Sequence, residues 1–279
     1  MRPGAPPAPG PGGLRLAGGA SALLLLALVL PGCGRFDLGP PGHWEELASG
    51  GGPGPGFDPA SVETLPPPAR RFLRHAMAPG TPLPERVELA MEGTILLEPG
   101  GEPLALEARQ ILVPDRGFLW SARAHRGLLR IRGYDRLTRG EGEMRWKLYG
   151  LIPVMTASGP DVTRSAATRL VMEGVLVPSS LLPGRVEWEA VDDHHAIFHR
   201  TVAGEAVATT LEVDPEGRPV RAWADRWNEG RYERFEVRFE GSLEVDGIRV
   251  PHAMVAGWRL DDPDAFPFFN ARLTSVTFR

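Results

Sequence analysis

The sequence predicts a mainly β domain of the α+β kind: a wide antiparallel sheet of about ten strands, curled into a half-barrel or closed on itself, with two short helices. Three observations predict it. Apolar and polar residues alternate with period two in segment after segment, as in Glu233-Arg234-Phe235-Glu236-Val237-Arg238-Phe239-Glu240, which puts Phe235, Val237 and Phe239 on a dry face and the charges on a wet one. Turn-forming residues separate these segments at Pro99-Gly100-Gly101, Asp192-Asp193, Asp214-Pro215-Glu216-Gly217, Asp246-Gly247 and Asp262-Pro263-Asp264, where Asp bonds its own backbone and Gly supplies positive φ. Helical periodicity occurs in only two places. Consecutive strands joined by short turns are antiparallel neighbours, so a meander follows.

The chain opens on an export signal rather than on the domain. Residues 1–21 carry only Arg2 and Arg15 as charges, and residues 22–30 run as Ala-Leu-Leu-Leu-Leu-Ala-Leu-Val-Leu. That run is far shorter than the roughly 20 apolar residues a membrane span needs, so it reads as the core of a signal peptide. Leu30-Pro31-Gly32-Cys33 follows and holds the chain's single cysteine. With one cysteine, neither an intramolecular disulfide nor a cysteine-based zinc site is possible. Residues 34–64, with the run from Gly50 to Gly56, have little apolar pattern and read as a Gly/Pro-rich flexible tether with a reach of about 30 Å. His43, Trp44 and Leu47 interrupt it and admit a short helical turn, a passive spacer being the preferred reading. A single β-rich domain is then expected over residues 65–279.

The domain begins with a helix. Pro66, Pro67 and Pro68 suit a first helical turn. Ala69, Phe72, Leu73 and Ala76 form its apolar stripe, with Arg70, Arg71 and Arg74 outward, and Pro79-Gly80 stops it. Strand alternation follows at Val87, Leu89 and Met91, and again at Leu129 and Ile131. The second helix is expected from Asp161, as N-cap, to Glu173, with Ala166, Ala167, Leu170 and Val171 apolar and Gly174 at its end. The remainder reads as strand.

Composition and motifs narrow the function classes. A net charge of -4 argues against nucleic acid, whose partners carry a basic excess. No HExxH, GxSxG or strand-to-helix glycine loop is present, so the chain is expected to be no enzyme and to need no cofactor. Asp192, Asp193, His194, His195 and His199 are the best metal candidates, yet in a strand only His195 and His199 share a face, short of the third ligand a catalytic site requires; no metal site is expected. Arg123, Arg126, Arg130, Arg132, Arg136 and Arg139 make a basic segment that reads as a solvated face, with anionic lipid headgroups as the functional alternative.

Leu30-Pro31-Gly32-Cys33 resembles the lipobox of bacterial lipoproteins, which implies diacylglycerol on Cys33, removal of residues before it, and anchoring to the outer face of a bacterial membrane, periplasmic or extracytoplasmic. Further stretches resemble an uncharacterised bacterial envelope family, a domain of unknown function: Leu65-Pro66 with Arg70-Arg71-Phe72-Leu73, the segment from Gly140 to Met144, that from Gly150 to Val154, that from Val186 to Asp193, and that from Val245 to Pro251. The wider order of elements looks like the half-barrel of lipoprotein carriers such as LolA and LppX, which implies an apolar cavity. A sheet this wide must cover its apolar face: either it closes on itself around its own side chains, or it curls into a half-barrel with the helices plugging the mouth and part of the concave face free for an apolar ligand. Pockets favour aromatic walls, which makes Trp120, Trp146, Trp188 and Trp258 the candidate ligand-binding residues. The leading expectation is a membrane-tethered module binding a lipid or lipidated partner. The alternatives are an envelope scaffold binding a protein through a sheet edge, and a hydrolase with a site assembled from distant residues.

Overall fold

A computed structural model describes residues 36–52 and 54–279; the residues read as a signal peptide, and Cys33, lie outside the described residues. Among the described residues there are three α-helices: α1 (His43–Ala48), α2 (Pro67–Ala76) and α3 (Pro160–Met172). The strands of the first half are β1 (Val87–Ile95), β2 (Leu104–Val113), β3 (Gly117–Arg126), β4 (Leu129–Thr138), β5 (Glu141–Leu148) and β6 (Ile152–Ser158). After α3 come β7 (Glu187–Ala190), β8 (His195–Val202), β9 (Glu205–Val213), β10 (Pro219–Asn228) and β11 (Arg231–Glu240). A hairpin, β12 (Leu243–Val245) with β13 (Ile248–Val250), precedes β14 (Ala253–Trp258) and β15 (Phe266–Phe278).

Thirteen strands form one curled antiparallel sheet in the order β6-β5-β4-β3-β2-β1-β15-β14-β11-β10-β9-β8-β7, and β12-β13 stands apart. The count exceeds the expected ten because short strands such as β7 carry too few residues to show a period. Every turn pair expected from the sequence falls between strands. Six strands lie on each side of β15, which pairs with both β1 and β14 and so joins two arms.

The inner face is dry. Leu106, Ala108, Phe118, Trp120, Ala122 and Leu137 pack there against Ala166, Ala167 and Leu170 of α3. That helix touches β4, β5 and β6 of one arm and β8, β9 and β10 of the other, filling the concavity between them. Beside it, Phe72, Leu73 and Met77 in and after α2 pack with Leu181, Phe198 and Leu211, all essentially inaccessible. Asp115 in the β2–β3 turn receives Arg185 and Arg200, drawing that turn onto the far arm.

Three expectations are corrected. Gly159, not Asp161, is the N-cap of α3; Pro160 takes the first helical position, and Asp161 sits in the first turn. Glu236, on the wet face by alternation, has no accessible side-chain surface, because Arg221, Arg234 and Arg238 fold over it at 3.8, 3.4 and 2.9 Å. The stretch read as a tether is anchored on the domain at three of its described residues: Leu47 is buried with Ile111, Val113, Leu119 and Tyr134 on the outer face, and Phe57 and Val62 join the core around α2. Arg116 donates to the carbonyls of Glu46, Leu47 and Ser49 at 2.8–3.0 Å. This cover explains why β2 alternates through its first six residues and is then buried on both faces. Residues Phe36–Arg279 accordingly form one compact unit with its own core, as an independently folding domain does.

Candidate functional site

The concavity is not completely filled. A cavity of about 300 Å³ remains between the first half of α3 and the inner face, with Phe118, Met144, Val162, Ala166 and Trp227 among its apolar walls. Its position follows from one close approach. Gly142 of β5 faces the first turn of α3, where a Cβ would stand 2.7 Å from Thr163 Cα, and its N–H donates to Thr163 Oγ1 at 2.9 Å. Helix and strand are thereby clamped at one end of the cavity.

The floor is charged. Asp135 of β4 accepts from Trp146 Nε1 at 2.9 Å and pairs with Arg169 of α3 at 3.2 Å. Arg169 also pairs with Glu173 at 2.8 Å, and Gln110 of β2 donates to that same carboxylate. Burial pushes the Asp135 carboxyl above its ordinary range, with Arg169 and the Trp146 indole opposing. Burial works against the Arg169 guanidinium, but Glu173 and Asp135 outweigh it and raise its pKa. Its guanidinium lies over the rings of Phe118 and Trp120, 4.6 and 5.1 Å from their centroids.

Arg226 of β10 faces the same cavity and differs in its partners. Its Nε donates to the Ser165 carbonyl and Oγ at 3.1 and 3.0 Å, and its guanidinium stacks on Phe235 and Trp258. Among the described residues no carboxylate pairs with it within 4 Å, the limit of a salt bridge. Burial, reinforced by the like charge of Arg169, lowers its pKa to about 10, so it stays charged at neutral pH. The arrangement offers a slot with apolar walls and a charged floor, in which Arg169 is paired with Asp135 and Arg226 is in no direct ion pair among the described residues.

Three of the four expected tryptophans are distributed around this floor rather than in the cavity. Trp120 and Trp146 meet at 5.6 Å between centroids, one under Arg169 and the other bonded to Asp135. Trp258 backs Arg226, whereas Trp188 lies apart, against Phe198 at 5.2 Å, its Nε1 donating to the Leu181 carbonyl at 2.8 Å. None of the four lines the cavity; Trp227 does. The reason is Gly133 opposite Trp146, which lets that ring lie flat on β4 instead of projecting inward.

His195 and His199 share a face, as alternation requires, but each meets its own carboxylate, Asp192 at 2.8 Å and Glu189 at 3.1 Å. Among the described residues no three His, Cys, Asp or Glu side chains converge as metal ligands. The basic segment is divided: Arg123, Arg136 and Arg139 pair with Glu107, Glu143 and Glu46, while Arg130 and Arg132 have no carboxylate partner among the described residues. Sequence reasoning missed Asp135, Arg169, Glu173 and Arg226. Each stands on an apolar face of its element by period, and that parity was the available signal.

No helix among the described residues is long and apolar enough to cross a membrane. A family model described as a family of unknown function, DUF6544, matches residues 55–271. No curated protein matches the chain. Similar solved structures include a LolA superfamily protein from Nitrosomonas europaea, 12% identical over 76% of this chain and 92% of that one, with a TM-score of 0.39. A DUF1329 family protein from Desulfovibrio piger is 14% identical over 80% and 94%, with a TM-score of 0.40.

Proposed function

The chain belongs to DUF6544, a family of unknown function, and we propose that it is an exported, membrane-tethered module that binds an amphiphilic ligand without covalent chemistry. The observation carrying this reading is the cavity under α3, walled by Phe118, Met144, Val162, Ala166 and Trp227 together with Asp135, Glu143, Asp161 and Glu229, with Arg226 in no direct carboxylate pair among the described residues. A desolvated cation costs free energy unless an anion meets it. A ligand carboxylate or phosphate supplies that anion, while each buried CH₂ adds about 0.8 kcal/mol. About 300 Å³ is at the lower end of ligand pockets, so the occupant is one acyl chain or its end rather than a whole multi-chain lipid. Export and lipidation at Cys33 are part of the same proposal, supported by the lipobox-like Leu30-Pro31-Gly32-Cys33.

Native mass spectrometry with lipid extraction tests the reading on the unit from Phe36 to Arg279 produced in bacteria. The expected result is a co-purifying amphiphile at stable ratio, lost in Ala166→Trp, which fills the cavity, and weakened at least tenfold in Arg226→Gln. A bare protein mass that also takes up no added fatty acid or apolar dye overturns it.

A further inference from the structure

Of the ten large apolar side chains that stand exposed among the described residues, six fall between positions 128 and 155, so the exposure is a local feature and not a general property of the surface. Leu128, at the tip of the β3–β4 hairpin, is 88% exposed, and Leu151, at the tip of the β5–β6 hairpin, is 80% exposed. Tyr149 belongs to the second tip, and its N–H bonds the Arg130 carbonyl at 2.8 Å, so the two tips are adjacent. Ile152, Val154 and Met155 continue the patch along β6, an outermost strand of the sheet.

Cations surround these residues. Arg123, Arg132 and Lys147 stand directly opposite one another on β3, β4 and β5 and therefore share a face. Like charges in register repel, and only Arg123 has a carboxylate, Glu107. Arg130 donates to nothing but the carbonyls of Gly127 and Leu129, and Arg132 and Lys147 have no ion-pair partner among the described residues. In a chain of net charge -4 this is a local excess of positive charge beside exposed apolar tips.

We propose that the β3–β4 and β5–β6 tips, with strand β6, dock on an anionic lipid bilayer, Leu128, Tyr149 and Leu151 entering the headgroup region and Arg130, Arg132 and Lys147 meeting lipid phosphates. Two features favour a bilayer over a protein. The apolar residues sit on protruding tips and not in a groove that a partner would fill. The edge of β6 is defended against strand addition, because Pro153 removes an N–H and a register shift interrupts its pairing beside Lys147. A surface that presents apolar side chains while blocking backbone pairing suits the membrane interface, where cations near anionic lipid add to apolar insertion. The proposal does not depend on the cavity or on Cys33.

Co-flotation of the Phe36–Arg279 unit with vesicles tests it, using phosphatidylcholine alone and phosphatidylcholine with phosphatidylglycerol. Expected is binding to the phosphatidylglycerol vesicles that weakens as salt rises. Leu128→Glu with Leu151→Glu abolishes it, and Arg130→Gln with Lys147→Gln weakens it about tenfold or more. The exposed control Val191→Glu with Val220→Glu leaves binding intact, and circular dichroism verifies the fold of each variant. Absence of anionic-vesicle binding, equal loss in the control, or a dimer in buffer that dissociates on Leu128→Glu overturns the proposal.

Discussion

Asp135 shows how burial and pairing compete at a single carboxyl. Its folded-state pKa is raised, so the native state holds that proton more tightly than the unfolded chain. The contribution to stability is full below the unfolded value and is lost as pH rises through the folded one. Asp135→Asn removes this slope: in urea titrations from pH 3 to pH 7 the difference between variant and wild type moves in the variant's favour as pH rises. A wild type that instead gains on the variant with rising pH places the carboxyl below its ordinary range, and Arg169 then outweighs burial. Asp192 behaves in the opposite way. Backbone N–H donation from His194 and the bond from His195 hold it to about 2, and its contribution is lost as pH falls toward that value. The Asp192 turn was legible because Asp-Asp is turn chemistry. The Asp135 cluster was not, because its members come from β2, β4, α3 and β10 and share no motif. What the letters did contain is parity: Asp135 lies in step with Ile131 and Leu137, Arg226 with Ala222 and Ala224, and Arg169 one turn from Ala166.

Elements with long periodic runs were readable at the level of strand or helix. Helix α2 was given by its apolar stripe and β11 by alternation, and both lie within a residue or two of expectation. Readability failed where a neighbour changed the environment of a face. The second half of β2 and the start of β3 are buried on both sides because α1 lies outside them. His43, Trp44 and Leu47 pointed to the helical turn that α1 forms, but six residues were too few to show that it covers the sheet. Gly142 likewise owes its environment to a neighbour, since it admits the first turn of α3. Gly142→Val therefore displaces α3 and costs about 1–3 kcal/mol, the range of core overpacking. A denaturant midpoint unchanged by this substitution would show that helix and strand separate freely.

For the whole molecule, the segment outside the sheet decides how much of the chain is domain. Removing residues 36–64 uncovers Ile111, Val113 and Leu119 on one face and takes Phe57 and Val62 from the core around α2. A truncated chain beginning at Leu65 is expected to melt at least 10 °C lower than one beginning at Phe36, at several kcal/mol of lost burial. Equal melting temperatures would restore the reading of this stretch as a passive spacer. The curled sheet, its order of hairpins and its two principal helices followed from the sequence. Helices plugging the half-barrel were one of two alternatives, and that α3 in particular fills the concavity did not follow, because alternation tells which side of a strand is dry and nothing of what dries it.

β15 has a consequence for how the protein is made. Within the sheet it is the strand that pairs with both six-strand arms, and it emerges in synthesis after the other strands of that sheet. Until then β1 and β14 are both open edges, each able to recruit a strand from another chain. A chain exported as proposed passes through that state during translocation, and its two arms are joined in one sheet only once β15 has crossed.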